Sequence, residues 1–222
     1  MITITEKIQA IIFDLDGVIT DTAEYHYQSW KRLAEEEGLD FDRQVNEQLR
    51  GVSRRQSLNI ILGGREFPER KKKEMTDKKN RYYQEYIDNM TEEDLLPGIK
   101  ELVERLKEEG YKLAIASSSC NARPVIQNLK IGHYFEVIAD GNSVEETKPA
   151  PDLFLYTADR LGLYPAQCVV VEDAESGIEG ARAAGMNTIG IGPEDRVGQA
   201  DYRYQRVSDI DPDDFLGKIR DF

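Results

Sequence analysis

The stretch "IIFDLDGVITDT" (residues 11–22) sets an apolar run against two aspartates one residue apart, followed by a glycine, a further Asp and two Thr. The apolar run reads as a buried strand. Asp14 and Asp16, at i and i+2, point the same way if the strand carries that far. Two carboxylates on one side repel each other unless a positive charge lies between them. The stretch is therefore either a solvated turn at a strand end or one edge of a site built for a cation and a reaction.

Outward from it, strand-like and helix-like segments alternate. "KIQAIIF" (7–13), "YKLAIAS" (111–117), "FEVIAD" (135–140), "CVVVED" (168–173) and "NTIGIG" (187–192) read as strands. "PGIKELVERLKEEG" (97–110), "NARPVIQNLK" (121–130), "PDLFLYTADRLG" (151–162) and "SGIEGARAAG" (176–185) read as helices, the first with Pro97 near its start and Gly110 at its end. This rhythm predicts βαβ units and an α/β fold, a Rossmann-like parallel sheet with helices on both faces. From about 22 to 91 no strand signal occurs. Four helical stretches stand there instead, one opening on a Ser53-x-x-Gln56 capping box. Seventy helical residues exceed a simple crossover, so residues 22–91 are expected to form an inserted helical domain. Residues 1–21 and 92–222 form the α/β core, with linkers near 20–23 and 91–96. A gap between two such domains is a natural binding cleft.

The totals narrow the function. The chain has 222 residues, 40% hydrophobic and 32% charged, with a formal net charge of −13. That charge argues against nucleic acid or an anionic membrane surface as partner, so a phosphate-bearing ligand needs a local positive site. No stretch approaches the roughly 18 apolar residues of a membrane span, and "MITITEKIQAIIFD" carries charge where a signal peptide would be apolar. The two cysteines, Cys120 and Cys168, lack C-x-x-C spacing, which points to a reduced, cytoplasmic chain.

In open parallel sheets, ligands sit beyond the carboxyl ends of the strands. Strand one ends in Asp14 and Asp16. Strand two ends in Ser117, Ser118 and Ser119, with Asn121 where the next helix opens. "TKPAPD", holding Lys148, follows strand three, and strand four ends in Glu172 and Asp173. Hard oxygen ligands such as Asp14, Asp16 and Asp173 suit Mg²⁺. Serine hydroxyls and free N–H groups at a helix start suit phosphate, and a lysine is a compact counter-charge. An aspartate beside a metal can be a nucleophile, and a second one can move a proton. Each motif alone has a structural reading: a turn, a helix start, a helix cap. The four in order at successive strand ends are much harder to read that way.

"DLDGVITDT", "SSS", "KPAPD" and "VVVEDAESGIEGARAAGM" resemble the four motifs of the haloacid dehalogenase superfamily, across essentially the whole α/β domain. The inserted segment resembles that superfamily's four-helix cap. With "FDRQVNEQLRGVSRRQSL", the likeness is to its sugar phosphomutases. The resemblance implies that Asp14 is the nucleophile, Asp16 the acid/base with its carbonyl on Mg²⁺, and that Glu172 and Asp173 complete the metal shell. Ser117 and Lys148 would hold the transferring phosphate. Gly51, Val52, Ser53 and Arg54 in the cap, with Ser119 and Asn121 in the core, would meet a second, distal phosphate, and Ser57 and Ser118 would also contact the substrate. Thr22, His26 and Lys79 would connect cap closure to the placement of Asp16, while Trp30, one turn from His26, reads first as cap core. The family pattern often has a basic residue at position 120. Here it is Cys120, and Arg123 is the nearest side chain that could reach in.

The implied activity is an isomerase that interconverts β-D-glucose 1-phosphate and glucose 6-phosphate. It would work through an aspartyl-phosphate, one Mg²⁺ per chain and β-glucose 1,6-bisphosphate as intermediate and activator. The alternative is a sugar-phosphate phosphatase with the same Asp and Mg²⁺. A non-enzymatic phospho-acceptor, which would also combine Asp, Mg²⁺ and Lys, has no need for a seventy-residue cap. The expected partner is a small sugar phosphate, with no nucleic acid and no membrane, met by a monomer in the cytoplasm.

Overall fold

The computed structural model describes residues 7–49 and 52–222. Its sheet has the strands β1 (Ala10–Phe13), β2 (Lys112–Ala116), β3 (Val137–Ala139), β4 (Cys168–Glu172), β5 (Asn187–Ile191) and β6 (Tyr202–Tyr204). All pair in parallel, in the order β3-β2-β1-β4-β5-β6. Between β1 and β2 the chain first forms four helices, α1 (Ala23–Glu37), α2 (Arg43–Glu47), α3 (Arg54–Leu62) and α4 (Glu69–Ile87), and then α5 (Ile99–Glu108), which leads into β2. The others are α6 (Ala122–Asn128), α7 (Asp152–Leu161), α8 (Glu175–Ala183), α9 (Glu194–Val197) and α10 (Pro212–Asp221).

The near-continuous apolar strands follow from burial on both faces. Alternate side chains go to opposite faces. Ile11, Phe13, Leu113, Ile115, Val169 and Val171 pack against α5, α6 and α10. Ile12, Ala114 and Val170 pack against Leu153 and Phe154 of α7 and Ala181 of α8. A third apolar cluster belongs to the inserted helices, built on Trp30, Leu33, Leu58, Ile61 and Met75. Each such side chain contributes about 1.5–3 kcal/mol on burial.

Three local details place the site. Strand order reverses between β1 and β4, so the crevice opens where Asp14 and Glu172 leave adjacent strands. The two chain segments joining the insertion to the sheet lie side by side: Leu96 N–H donates to Ile19 O (2.9 Å) and Thr20 Oγ1 to Asp94 O (2.6 Å). The capping box on α3 forms as its spacing predicts, with Ser53 N–H on Gln56 Oε1 at 2.9 Å and Gln56 N–H on Ser53 Oγ at 3.3 Å.

The sequence reading is corrected at three points. β1 ends at Phe13, so Asp14 and Asp16 belong to the turn that follows rather than to a continuing strand. Pro97 precedes α5, whose N-cap is Gly98 at φ 90°. A sixth strand, "YRY", escaped the pattern because three residues with a central Arg carry no apolar run.

Candidate active site

The floor of the site is a buried charge cluster. Lys148, 0% exposed, donates to Asp14 Oδ1 at 2.5 Å and to Glu172 Oε1 at 2.8 Å. Burial alone would lower the lysine's pKa, but the charges of Asp14 and Glu172 outweigh it, and the net shift is upward. Burial, then Asp14, push Glu172 upward against the pull of Lys148. The other Glu172 oxygen accepts from the N–H of Asp173 (2.6 Å) and of Ala174 (3.3 Å), which fixes the turn after β4. One carboxylate oxygen from each of Asp14, Glu172 and Asp173 lies within 4.8 Å of the others. Asp14 and Glu172 share the buried lysine, and Arg196 Nη2 lies 3.8 Å from Asp173. A hard, oxygen-only donor set with excess negative charge fits a divalent cation.

Two glycines make that approach possible. Gly17, at φ 87°, lies against the Asp173 carboxylate, and a Cβ there would collide with it. Gly177 on α8 lies against the Glu172 carboxylate in the same way. The glycine in "DLDG" thus serves both a left-handed turn and the packing of β1's end on β4's end.

The roof comes from the inserted helices. The Thr22 hydroxyl, at the start of α1, donates to Asp16 Oδ1 and accepts from Tyr83 Oη (3.1 Å) of α4. Tyr83 is fully buried, stacks on His26 with ring centroids 4.1 Å apart, and has Lys79 Nζ 4.7 Å from its own ring. Lys79 Nζ lies 2.7 Å from His26 Nδ1, within hydrogen-bond distance. Burial first, then Lys79 and Arg54, hold His26 well below its ordinary value. Burial and Arg54 likewise hold Lys79 low, opposed only by Asp16. Asp16 itself is pushed up to about 7, by burial and then by Asp14. It therefore carries its proton more readily than an ordinary carboxyl, as an acid/base must near neutrality.

Floor and roof enclose one cavity. Asp14, Asp16 and Asp173 line it from the floor, His26, Trp30, Val52, Arg54, Ser57 and Lys79 from the roof, and the Ser117–Cys120 loop from the side. Past Arg54, Ser118 and Cys120 it opens into a wider vestibule bordered by Ser53. Lys148 and Glu172 lie beneath Asp14 rather than on the wall. Thr22 acts from behind Asp16. Trp30 is both a core residue and a wall residue. Asn121 is 5% exposed and sits behind the serine loop, donating to Asn80 Oδ1 of α4 at 2.8 Å. Gly51 lies outside the described residues. Arg123, the side chain that could reach in near Cys120, instead donates to Ile138 O and pairs with Asp140 at 3.3 Å, and it does not line the cavity.

Two residues that sequence reasoning passed over belong to this arrangement, Tyr83 and Asn80. Both sit in the charged, Tyr-rich run of α4. Their spacing from Lys79, at i+4 and i+1, was the available signal, masked by the lysines and glutamates around them.

Fold and site together define a phosphoryl-transfer class of α/β protein with an aspartate at the end of the first strand. Residues 11–191 match the haloacid dehalogenase-like hydrolase family, and the chain belongs to that family. Among its relatives, a β-phosphoglucomutase of Bacillus subtilis is 46% identical over 206 residues, covering 91% of each chain. A phosphorylated carbohydrates phosphatase of Thermotoga maritima is 30% identical over 219 residues, covering 96% of this chain and 99% of that one. The crystal structure of a β-phosphoglucomutase from Clostridium difficile superposes with a TM-score of 0.92 at 38% identity, covering 96% of this chain and 98% of that one.

Proposed function

We propose that the protein interconverts β-D-glucose 1-phosphate and glucose 6-phosphate, with residues 22–91 closing as a cap over the core formed by residues 1–21 and 92–222. The observation that carries this reading is the polarity of the cavity. Its floor has more carboxylate than counter-charge, whereas its roof brings His26, Lys79 and Arg54 together on the opposite wall, where burial and then Arg54 hold Lys79 low and burial, then Lys79 and Arg54, hold His26 low. A metal suits the first and a phosphate the second. A substrate that is phosphorylated at one end while reacting at the other uses both. The likeness to two β-phosphoglucomutases supports glucose as the sugar.

In this mechanism Asp14, primed by β-glucose 1,6-bisphosphate, carries a phosphoryl group. Asp16 takes the proton of the sugar's 6-hydroxyl as that oxygen attacks, and the P–O bond to Asp14 breaks. The bisphosphate formed turns over in the cavity. Its anomeric phosphate passes back to Asp14 while Asp16 returns the proton to the leaving oxygen. Arg54 grips the phosphate that is not transferring, and Ser117 and Ser118 orient the one that is. Lys148, held by two carboxylates, keeps Asp14 ionised and aimed. Mg²⁺, one per chain, held by Asp14, Asp16, Glu172 and Asp173, would supply positive charge against the transferring group. Closure of the cap excludes water, to which an aspartyl-phosphate would otherwise be lost.

The reading includes a monomer working in the cytoplasm. No helix among the described residues is long and apolar enough to cross a membrane. The test is to supply β-glucose 1-phosphate with a trace of the bisphosphate and follow both products. Glucose 6-phosphate is expected as the main product, lost in Asp14→Asn. Inorganic phosphate as the main product would place the activity with the phosphatases instead.

A further inference from the structure

Helix α4 and helix α6 are joined by two asparagine rungs. Asn121 Nδ2 donates to Asn80 Oδ1 at 2.8 Å, and Asn128 Nδ2 donates to Ile87 O at 2.9 Å. The rungs are seven residues apart on both elements, 80 to 87 and 121 to 128, so the two helices run the same way side by side. They differ in position. The Ile87 rung lies at the end of α4, where the chain returns to the sheet beside Leu95 and Leu96. The Asn80 rung lies two turns away, next to Lys79 in the cavity wall and directly after the serine loop, whose Ser119 Oγ accepts from Asn121 N–H (3.2 Å). A movement of the inserted helices about their connecting segments would leave the first rung nearly in place and break the second.

We infer that Asn80 is a positioning residue for the reaction. By docking on Asn121 it holds α4, and with it Lys79, against the serine loop, and so keeps the cavity shut around the substrate while the phosphoryl group is on Asp14. The amide pair is uncharged, so it joins two surfaces across the cleft without adding to the charges that floor and roof already carry. Its worth is that of a partly buried neutral hydrogen bond. That is enough to bias an opening equilibrium severalfold without locking it. The inference rests on the mutase reading above.

The test compares wild type, Asn80→Ala, Asn128→Ala, Asn121→Ala and the Asn80→Ala/Asn121→Ala double variant, with β-glucose 1-phosphate and a trace of β-glucose 1,6-bisphosphate. Asn80→Ala is expected to raise KM about fivefold, and to raise the free phosphate released per glucose 6-phosphate formed by a similar factor. The double variant is expected to match Asn121→Ala, because Asn80 acts through Asn121. Asn128→Ala is expected to lower Tm by about 2–4 °C with KM and leakage unchanged. The inference is overturned if Asn80→Ala keeps wild-type KM and leakage, if the double variant shows the sum of the single losses, or if Asn128→Ala moves KM as much as Asn80→Ala does. Should the wild type release mainly inorganic phosphate, the mutase reading alone falls. The KM comparison is then made on hydrolysis of β-glucose 1,6-bisphosphate, which keeps a distal phosphate, with the same expected order of variants.

Discussion

The floor and the roof of the cavity solve opposite electrostatic problems. The floor gathers Asp14, Glu172 and Asp173, with Lys148 bonded to the first two, and its three carboxylates are anchored at or just beyond strand ends of the parallel sheet. The roof gathers His26, Lys79 and Arg54, carried on helices and steadied by side chains alone: Tyr83 on Thr22, Thr22 on Asp16, Lys79 on His26. A sheet whose strands are paired on both sides cannot shift one strand end without breaking ladder hydrogen bonds, so the floor is fixed before any ligand arrives. The roof has no such ladder beneath it, and its cations raise each other's cost of burial. On the proposed reading it is the half that a bound anion would stabilise and the half that would move. The difference then assigns chemistry to the sheet, and recognition and water exclusion to the helices between β1 and β2.

Four measurements break or sharpen that division. The largest effect belongs to the floor: Asp14→Asn removes the group to which the phosphoryl is transferred, and kcat is expected to fall by about four orders of magnitude or more. A rate near that of the wild type would end the covalent route. Next, Lys148→Met leaves two buried carboxylates, Asp14 and Glu172, without their shared lysine. The expected loss is about 3 kcal/mol of unfolding free energy in urea, in chelator, with part recovered on adding Mg²⁺. No loss would mean that the floor is not held by that charge. In the roof, Tyr83→Phe deletes one hydroxyl and keeps the ring against His26. The Thr22 hydroxyl then loses the donor that orients it toward Asp16, and kcat is expected to fall about fivefold with KM within twofold. A KM effect instead would move Tyr83 from proton handling to substrate recognition.

The smallest effect calibrates both, because it lies outside the cavity. Glu136 accepts from Lys107 Nζ (2.6 Å) and from Leu113 N–H (2.7 Å). Burial opposes the shift, but those two donors win, and its pKa falls below 4.5. A carboxylate with a depressed folded pKa adds stability above its unfolded value, and that stability is lost as pH falls through the folded pKa. Thermal melts of wild type and Glu136→Gln should therefore differ by a degree or so near pH 6, on the order of one exposed pair, and converge at pH well below 4.5. A gap that persists in acid would show packing rather than charge.

Much of this was legible in the residues. Short apolar runs alternating with longer helix-like stretches gave the order of strands and helices. The four polar clusters sat at strand ends, and the capping box at Ser53 announced α3. The charged run of α4 was legible as a helix, and the family likeness picked out Lys79 in it, but Asn80 and Tyr83 look like their solvated neighbours until α4 is laid along α6. Arg123 was misread for the same reason in reverse. Its distance along the chain from Cys120 was short, but the turn of α6 carries it to Asp140.

What the sequence determined by itself was the class of chemistry. Acidic groups, hydroxyls and a lysine at successive strand ends can converge only at the carboxyl edge of a parallel sheet, whatever the helices do. What only the tertiary structure decided was which side chains bond across the gap between the insertion and the sheet: Thr22 to Asp16 and Asn121 to Asn80. Local patterns record which face of an element is apolar. They do not record the angle at which two elements meet, and hydrogen bonds that act over 3 Å depend on that angle.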